Sequence, residues 1–224
     1  MVARYFHQKA GLIKPWYRRD NGVRLAADTA LVAENFPPLA FRVDDRRQIV
    51  YLEGPLAIHL ECGIDTSIEN RLVFPWTYPQ SEPVAYDAAR RFKPYSGKDI
   101  RDRHLCNDGQ CCLWLPPLSP WSPSDPNALR DFIDQLIVFW DRQLIYDDNG
   151  RWPGPAYDHD VRGYLQFIHG ELKDDARLTE ALAPLVLGRL SVGRNENCPC
   201  GSKRKFKRCH LPSVENLRSR IRRR

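Results

Sequence analysis

Short apolar runs separated by polar turns predict an antiparallel sheet in the first half of the chain. A run of good helix formers over residues 24–35 comes first and stops before a Phe-Pro-Pro sequence. Val, Ile, Tyr and Leu then cluster over residues 39–44, 49–61 and 64–74, as they do in strands, and residues 84–86 form a fourth, shorter cluster. Because the links between these runs are short, we expect a four-stranded antiparallel meander behind one helix.

Helical periodicity returns in the second half of the chain. Asp125 followed by Pro126 is typical of a helix start, and a second helix is predicted over residues 160–172. The proline-rich stretch over residues 75–126 is predicted to be irregular, and loops of this length are usually functional. Residues 174–197 are predicted to be a linker with a short apolar segment that docks on the body. The first of these helices has one apolar face, built from Leu129, Phe132, Ile133, Leu136, Ile137, Trp140 and Leu144.

The composition is that of a folded protein. Of its 224 residues, 42% are hydrophobic, which is enough for a packed core and excludes a disordered or fibrous chain. No apolar run approaches the ~20 residues that a membrane-spanning helix needs. The N-terminus lacks the order of charged, apolar and small residues typical of a signal peptide. We therefore expect a cytoplasmic protein that makes no membrane contact.

The net charge of +6 is divided unevenly along the chain. Residues 1–188 carry 22 Lys and Arg against 26 Asp and Glu, a net charge of −4, whereas residues 189–224 carry 12 against 2, a net charge of +10. A basic chain favours nucleic acid or a membrane surface as partner, but here the basic charge belongs to the tail alone. We therefore predict a body over residues 1–188 and a separate C-terminal motif over residues 189–224.

The seven cysteines are also clustered. Their odd number and tight spacing in a reducing compartment favour metal ligation or catalysis over disulfides. Residues 198–210 read C-P-C-G-S-K-R-K-F-K-R-C-H, and three thiols with an imidazole in two close pairs suit tetrahedral zinc. Because so small a segment buries little surface, the metal is expected to supply its folding free energy. The alternative is a disordered basic tail with incidental cysteines.

Together with Gly193-Arg194-Asn195 just before it, this run resembles the SEC-C motif, which is found at the end of the SecA translocase motor and in many bacterial proteins. The resemblance implies that one zinc ion is bound by Cys198, Cys200, Cys209 and His210. Four protein ligands leave no open position, so this zinc is expected to be structural. We expect the basic surface to contact RNA or an acidic protein face, and a solvated tail without a specific partner is the alternative. The basic surface of the motif is extended by five further arginines: Arg218, Arg220, Arg222, Arg223 and Arg224.

A second candidate site lies in the body, at Cys111-Cys112. The pair follows the turn sequence Asn107-Asp108-Gly109 within the long irregular stretch. A thiol on such a segment is a candidate nucleophile, particularly for thioester exchange, which asks less of the thiol than other acyl transfers. The alternative is that both cysteines are small hydrophobic residues of the core.

The order of residues around this pair is distinctive. Its markers are Gly54-Pro55 in the second strand, Tyr78-Pro79 followed by Pro83, Gly109-x-x-Cys112-Leu113, and Trp121-Ser122-Pro123 before the long helix. Over residues 22–172 this order resembles that of the ubiquitin-conjugating enzymes. The resemblance implies an α+β fold of the UBC type, a four-stranded antiparallel meander with flanking helices, and makes residues 1–188 a catalytic domain. The small zinc-stabilised motif would follow it.

The resemblance assigns two roles near the cysteine pair. Cys112 aligns with the thioester-forming cysteine of the family, because Gly109 and Leu113 fix the alignment. The family has an asparagine eight residues earlier, whose amide supports the oxyanion, and here that position is His104 without a His-Pro-Asn sequence. An imidazole also donates a hydrogen bond to developing negative charge, so His104 is expected to take this role. A loop residue with only local hydrogen bonds is the alternative.

The family's acidic residue, which helps the incoming amine, has no clear counterpart. A lysine is protonated near neutral pH, so it needs a positioned acceptor or a desolvating site before it can attack. Candidates from the loop after the long helix are Asp147, Asp148, Asp158 and His159. We select His159 as the third participant, although an exposed polar loop explains all four residues equally well.

These resemblances imply a transferase that carries a protein C-terminus as a thioester on Cys112 and passes it to an amine. The departures from the eukaryotic pattern and the SEC-C tail resemble a bacterial branch of the family, found in anti-phage CBASS systems and in ubiquitin-like conjugation operons. The expected partners are the C-terminus of a cGAS-like nucleotidyltransferase or a ubiquitin-like protein. Activation comes from a separate activating enzyme, or else the partner is recognised directly. One alternative is an idle UBC-fold adaptor whose zinc tail binds RNA or protein. Another is a thiol hydrolase that uses Cys112 with His104 or His159.

Overall fold

The computed structural model describes residues 14–59 and 65–222. In these ranges it contains one four-stranded sheet in the order β1-β2-β3-β4, with each strand antiparallel to the next. The predicted α+β class with an antiparallel meander is therefore confirmed. The strands are β1 (Ala40–Asp44), β2 (Ile49–His59), β3 (Asp65–Phe74) and β4 (Val84–Asp87).

Five α-helices accompany the sheet in the described residues, and the chain divides into two compact units. The first unit comprises residues 1–113 and 120–154, and it contains the sheet with α1 and α2. The second comprises residues 114–119 and 155–224 and contains α3, α4 and α5. The helices are α1 (Val23–Asn35), α2 (Ala128–Asn149), α3 (Asp160–Glu171), α4 (Ala176–Val186) and α5 (Leu211–Arg222).

Helix α2 closes the core of the first unit. It packs on β2, and its apolar face is buried as the three- and four-residue spacing predicts. The helix begins at Ala128 rather than at Pro126, because the Asp125 carboxylate accepts from the backbone N–H of Asn127 in a turn before the helix. It ends at Gly150, which is left-handed with φ 67°. The core side chains of α2 are Leu129, Phe132, Ile133, Leu136 and Trp140.

Strand β2 runs without a break through Gly54-Pro55. Gly54 has φ 140°, and a Cβ atom added there would lie 2.3 Å from the carbonyl oxygen of Pro38. The chain just before β1 therefore passes directly against the β2 backbone. Only glycine permits this approach without displacing the backbone, which explains the residue type at this position.

A buried polar triad ties α1 to the turn after β3. The hydroxyl of Tyr78 donates to the Asp28 carboxylate at 2.8 Å and accepts from the Arg24 guanidinium at 2.9 Å. Arg24 also donates to Asp28 at 2.9 Å. Burial raises the pKa of Asp28, although the hydrogen bonds that it accepts from Arg24 and Tyr78 oppose the shift. Tyr78 is fully buried, so its hydroxyl is the partner that satisfies both neighbours.

The second unit has its own hydrophobic core. Helix α4 occupies part of the stretch that the sequence predicts to be a linker, so that prediction is wrong for residues 176–186. Its apolar residues pack with those of α3 and with residues of the basic tail, which the sequence did not assign to a core. The boundary predicted at residue 188 falls inside this unit and stays a prediction. Buried side chains of the unit include Phe167, Ile168, Leu182, Leu185, Cys198, Phe206, Leu211, Val214 and Leu217.

None of the helices in the described part of the chain combines the length and the apolar character that crossing a membrane requires.

We predict that Tyr78→Phe lowers the free energy of unfolding by about 1–3 kcal/mol, because the buried Asp28 carboxylate loses one of its two hydrogen bonds and the Arg24 guanidinium loses one acceptor. The measurement is chemical denaturation of the full chain. Tyr86→Phe is the matched control, since the described residues give the Tyr86 hydroxyl no hydrogen bond, and it should cost less than about 0.5 kcal/mol. Equal losses in the two variants would refute the structural role of the triad.

Candidate functional site

The cysteine pair of the body lies on a short hairpin in the first unit. Cys106 N–H donates to the carbonyl of Gln110 at 2.8 Å, and Cys112 N–H donates to the carbonyl of His104 at 2.9 Å. Leu105 forms a bridge with Cys111 between these two bonds. This register places His104 opposite Cys112 on the two arms of the hairpin. The arrangement brings together two of the three predicted catalytic residues at backbone level.

The turn of the hairpin is tight because of Gly109. Its φ is 85°, and its N–H donates to the carbonyl of Cys106 at 2.8 Å. A Cβ atom at this position would lie 3.2 Å from the guanidinium of Arg90, which donates to the carbonyl of Asn107. The Asn-Asp-Gly turn predicted from the sequence therefore has a conformation that suits glycine.

Cys112 is half-buried, and its thiol faces that of Cys106 with Sγ atoms 3.7 Å apart. The hydrogen bond with Cys106 is the larger cause, and burial the second, of a raised pKa of the Cys112 thiol. The thiol is therefore protonated at neutral pH and is not preactivated as a thiolate. Any acyl transfer at Cys112 must accordingly rely on a donor that is already activated.

Cys111 has the opposite character. It is 6% exposed, and burial raises the pKa of its thiol well above the ordinary value. Its side chain lies on the buried face of the hairpin together with that of Leu105. The interpretation as a small hydrophobic residue therefore describes Cys111, whereas Cys112 lies on the other face.

A buried guanidinium fixes the base of the hairpin. Arg103 is 1% exposed and donates to the carbonyls of Lys93, at 2.6 Å, and of Gln143 on α2, at 3.3 Å. The side chain of Gln143 donates back to the carbonyl of Arg103, and the Asp147 carboxylate accepts from the guanidinium. Sequence reasoning missed this clamp, because an arginine in a polar run and a glutamine within a helix carry no sign of burial.

The other two predicted catalytic residues lie in different units. His104 is half-buried and left-handed, with φ 55°, and its ring lies 4.5 Å from that of Trp152 between centroids. His159 is the N-cap residue of α3 in the second unit. Its predicted role stays a prediction. Among the alternatives, Asp147 is already paired with Arg103, which argues against it as the acceptor for an amine.

The predicted metal ligands form a cluster in the second unit. Sγ of Cys198 lies 3.4 Å from Nδ1 of His210, and Sγ of Cys209 lies 3.3 Å from the same nitrogen. The thiols of Cys200 and Cys209 are 3.6 Å apart. All four candidate ligand atoms lie within 4.8 Å of one another. The structure thus groups all the residues that the sequence selected as ligands.

These separations fit a tetrahedral ion. Zinc bonds of about 2.3 Å to sulfur and 2.0–2.1 Å to nitrogen require ligand atoms about 3.5–3.8 Å apart. For Cys200, burial opposes ionisation, but hydrogen bonds to the side chain and backbone of Ser202 outweigh it and lower the pKa of the thiol to about 6. A donor set of three thiols and one imidazole, with one thiol ionised near neutral pH, suits Zn²⁺.

Local turns bring the two ligand pairs together. Gly201 has φ 80° and closes the turn after Cys200, and Asn197 pairs with Lys205 across it. A 3-10 turn over Phe206–Arg208 then leads into Cys209, His210 and α5. Phe206 is 3% exposed and joins the core of the unit. The metal therefore does not fold the segment alone, because packing on α3 and α4 contributes as well.

The basic residues of the tail have two different roles. Arg218 on α5 donates twice to the carbonyl of Leu185 near the end of α4, at 2.8 and 2.6 Å, and Arg220 pairs with Glu171. These two arginines stabilise the unit and are not part of an unpaired basic surface. Arg223 and Arg224, which the sequence also assigns to that surface, lie outside the described residues. Within residues 194–208, six exposed cations form no ion pair with a carboxylate in the described part of the chain: Arg194, Lys203, Arg204, Lys205, Lys207 and Arg208. Arg222 on α5 is exposed as well.

Comparison with protein-family models identifies the metal segment. The SEC-C motif matches residues 194–212. Residues 194–212 are therefore a SEC-C motif, which is a zinc-binding motif. The match covers all four residues of the cluster, so the predicted SEC-C motif is confirmed.

Among curated proteins, the chain is similar to SecA subunits of protein translocase over a short region. It is 54% identical to the subunit of Coxiella burnetii over 54 residues, which cover 20% of this chain and 6% of that protein. It is 49% identical to the subunit of Myxococcus xanthus over 44 residues, which cover 20% of this chain and 5% of that protein. It is 41% identical to the subunit of Nitrosococcus oceani over 54 residues, which cover 24% of this chain and 6% of that protein. The chain thus spans only a small fraction of the length of these relatives.

We predict that the purified chain holds one zinc ion and that Cys209→Ser lowers its zinc affinity at least tenfold, because a tetrahedral site loses one of four ligands. Metal analysis after dialysis against a chelator measures the effect. Cys111→Ser is the control and should retain the metal. Zinc retained equally by both variants would contradict the assigned ligand set.

Proposed function

We propose that the chain is a ubiquitin-conjugating-like transferase, in which Cys112 accepts a protein C-terminus as a thioester and passes it to an amine. The observation that carries the proposal is the hairpin register, which pairs His104 with Cys112. The thiol of Cys112 is half-buried and not ionised. The order of elements in the first unit, with one helix, a four-stranded meander, this hairpin and a long helix, also supports it. This is the order that the family resemblance implies.

The backbone of His104 supports the role carried over from the family. The residue is left-handed, with φ 55° and ψ 36°. Among residues other than glycine, Asn, Asp and His are the ones enriched in this conformation. A histidine can therefore replace the family's asparagine without altering the local backbone. Its imidazole would then donate a hydrogen bond to the oxyanion that forms when the acyl carbonyl is attacked.

The chemistry follows from the state of the thiol. Cys112 loses its proton as its sulfur attacks the donor thioester carbonyl, and the donor thiol leaves with a proton. In the second step an amine nitrogen attacks the same carbonyl, loses a proton, and Cys112 leaves as a thiol. Because exchange between thioesters is nearly balanced in free energy, a thiol of high pKa can serve, although it loads more slowly at neutral pH. His159 remains the proposed third participant, acting on the amine.

The proposed setting is bacterial anti-phage defence of the CBASS type, with a cGAS-like nucleotidyltransferase as the conjugated protein. A ubiquitin-like conjugation pathway outside CBASS is the alternative setting. The combination of a conjugating-enzyme order of residues with a SEC-C motif supports a bacterial member of the family. The neighbouring genes separate the two settings, since one requires a nucleotidyltransferase and the other a ubiquitin-like protein with its activating enzyme.

A second candidate function is an idle adaptor that binds RNA or an acidic protein through the zinc motif. The six exposed cations without carboxylate partners in the described residues favour it, because such a cluster attracts phosphate groups or acidic side chains. The raised pKa of the Cys112 thiol is compatible with an unused cysteine as well.

Loading of the full chain tests the proposal. The probe is a peptide that ends in glycine and carries a C-terminal thioester of 2-mercaptoethanesulfonate, and the readout is intact mass. We predict a thiol-cleavable adduct that Cys112→Ala abolishes and Cys111→Ala retains. The loading rate should rise with pH beyond the ordinary cysteine pKa of about 8.5, because the folded thiol has a higher pKa and stays protonated there.

The other outcomes separate the hypotheses. An adduct that persists in Cys112→Ala would exclude Cys112 as the acyl acceptor. A chain that never loads, yet binds RNA in a salt-sensitive way that Lys205→Glu weakens, would favour the adaptor. Accelerated hydrolysis of the probe without transfer to an amine would point to the hydrolase.

A further inference from the structure

Cys106 lies opposite the proposed nucleophile and has no role in the function proposed above. Its Sγ atom is 3.7 Å from that of Cys112, and both cysteines are reduced. A disulfide requires an S–S distance of about 2.05 Å, so the two sulfurs need to approach by less than 2 Å. Side-chain rotation at the two residues can supply much of this movement.

The hairpin directs these two thiols to the same side. Alternate residues along each arm share a face, so Cys106 and Cys112 lie on one face and Leu105 and Cys111 on the other. Burial follows the same division, because Leu105 and Cys111 are buried whereas Cys106 and Cys112 are half-buried. The neighbour of Cys112 in sequence is therefore not its neighbour in space.

Cys106 is also reachable by small molecules. It lines a cavity of about 230 Å³, together with Asp87, Arg90, Asn107 and Gly109. The cavity is larger than a water-sized oxidant requires. Neither Cys111, which is 6% exposed, nor Cys112 lines it. An oxidant of the size of hydrogen peroxide can thus reach one thiol of the facing pair from the surface.

We propose that Cys106 and Cys112 form a reversible disulfide when the chain meets a hydroperoxide. One thiol attacks the peroxide as a thiolate and becomes a sulfenic acid, and the peroxide leaves as water or an alcohol after taking up a proton. The facing thiol then attacks the sulfenic sulfur, and the S–S bond forms as a second water is released. The two thiols together lose two protons and two electrons, which the peroxide takes up. A thiol reductant reverses the reaction.

The disulfide would control the acyl carrier. This consequence rests on the proposed function, since it requires Cys112 to be the residue that loads. Oxidation would occupy the Cys112 sulfur and stop loading, while protecting it from sulfinic and sulfonic acids, which thiol reductants do not reverse. Cys106 would supply the second sulfur of the bond and so keep Cys112 in this reversible state.

Mass mapping tests the disulfide without any acyl donor. The full chain is treated with hydrogen peroxide, remaining thiols are alkylated, and the tryptic peptide over residues 104–130 is analysed; this peptide contains Cys106, Cys111 and Cys112. We expect a mass loss of two hydrogens, a single alkyl group on Cys111, and full recovery of thiols after reduction. Cys106→Ser should abolish the cross-link and Cys111→Ser should retain it. A cross-link that persists in Cys106→Ser, or its absence from the unsubstituted chain, would overturn the proposal.

A second readout separates this proposal from the proposed function. After peroxide treatment and then reduction, the unsubstituted chain should recover loading, whereas Cys106→Ser should lose it permanently, with Cys112 carrying two added oxygens. Full recovery in both variants would overturn the protective role. A chain that forms the disulfide but never loads would refute the proposed function and leave the redox pair standing.

Discussion

The cysteine hairpin depends on the contacts of one buried group, the guanidinium of Arg103. It lies between the rings of Phe92 and Tyr146, within 5.0 Å of each ring centre, and binds two carbonyls and the Asp147 carboxylate. These bonds to the two terminal nitrogens, together with the Asp147 carboxylate, offset the cost of burying the charge, although Nε of Arg103 has no partner among the described residues. Because Gln143 returns a hydrogen bond to the Arg103 carbonyl, the residue next to His104 is held against α2. The positions of His104 and Cys112 on the hairpin follow from this clamp.

The second unit uses the same principle with different groups. Arg218 binds a terminal carbonyl of α4, and Arg220 reaches Glu171 on α3, so α5 is attached to both helices by charge as well as by packing. The SEC-C segment joins this core through Cys198, a member of the Cys/His cluster, and through the apolar side chain of Phe206. The SEC-C motif is thus one wall of a small helical unit, and its remaining cations are exposed.

Local patterns were enough to predict the strands, α1, α2, α3 and the Cys/His cluster, because apolar periodicity and the spacing of cysteines are read from neighbours in sequence. Helix α4 was missed because Pro184 lies within its short apolar stretch, and proline is typical of a helix end. Arg103 and Cys106 were missed for another reason: their roles depend on contacts with Gln143 and Cys112 that only the fold creates. The UBC assignment and the role of His159 stay predictions.

The most direct test of the account is the rate at which free lysine removes an acyl group from loaded Cys112. The reference is the same thioester on an isolated peptide over residues 104–130. If the hairpin positions His104 to stabilise the oxyanion, the folded chain should transfer its acyl group at least about tenfold faster than the peptide, and His104→Ala should remove most of that advantage. Equal rates in the folded chain, the variant and the peptide would contradict the claim that this site is a transferase.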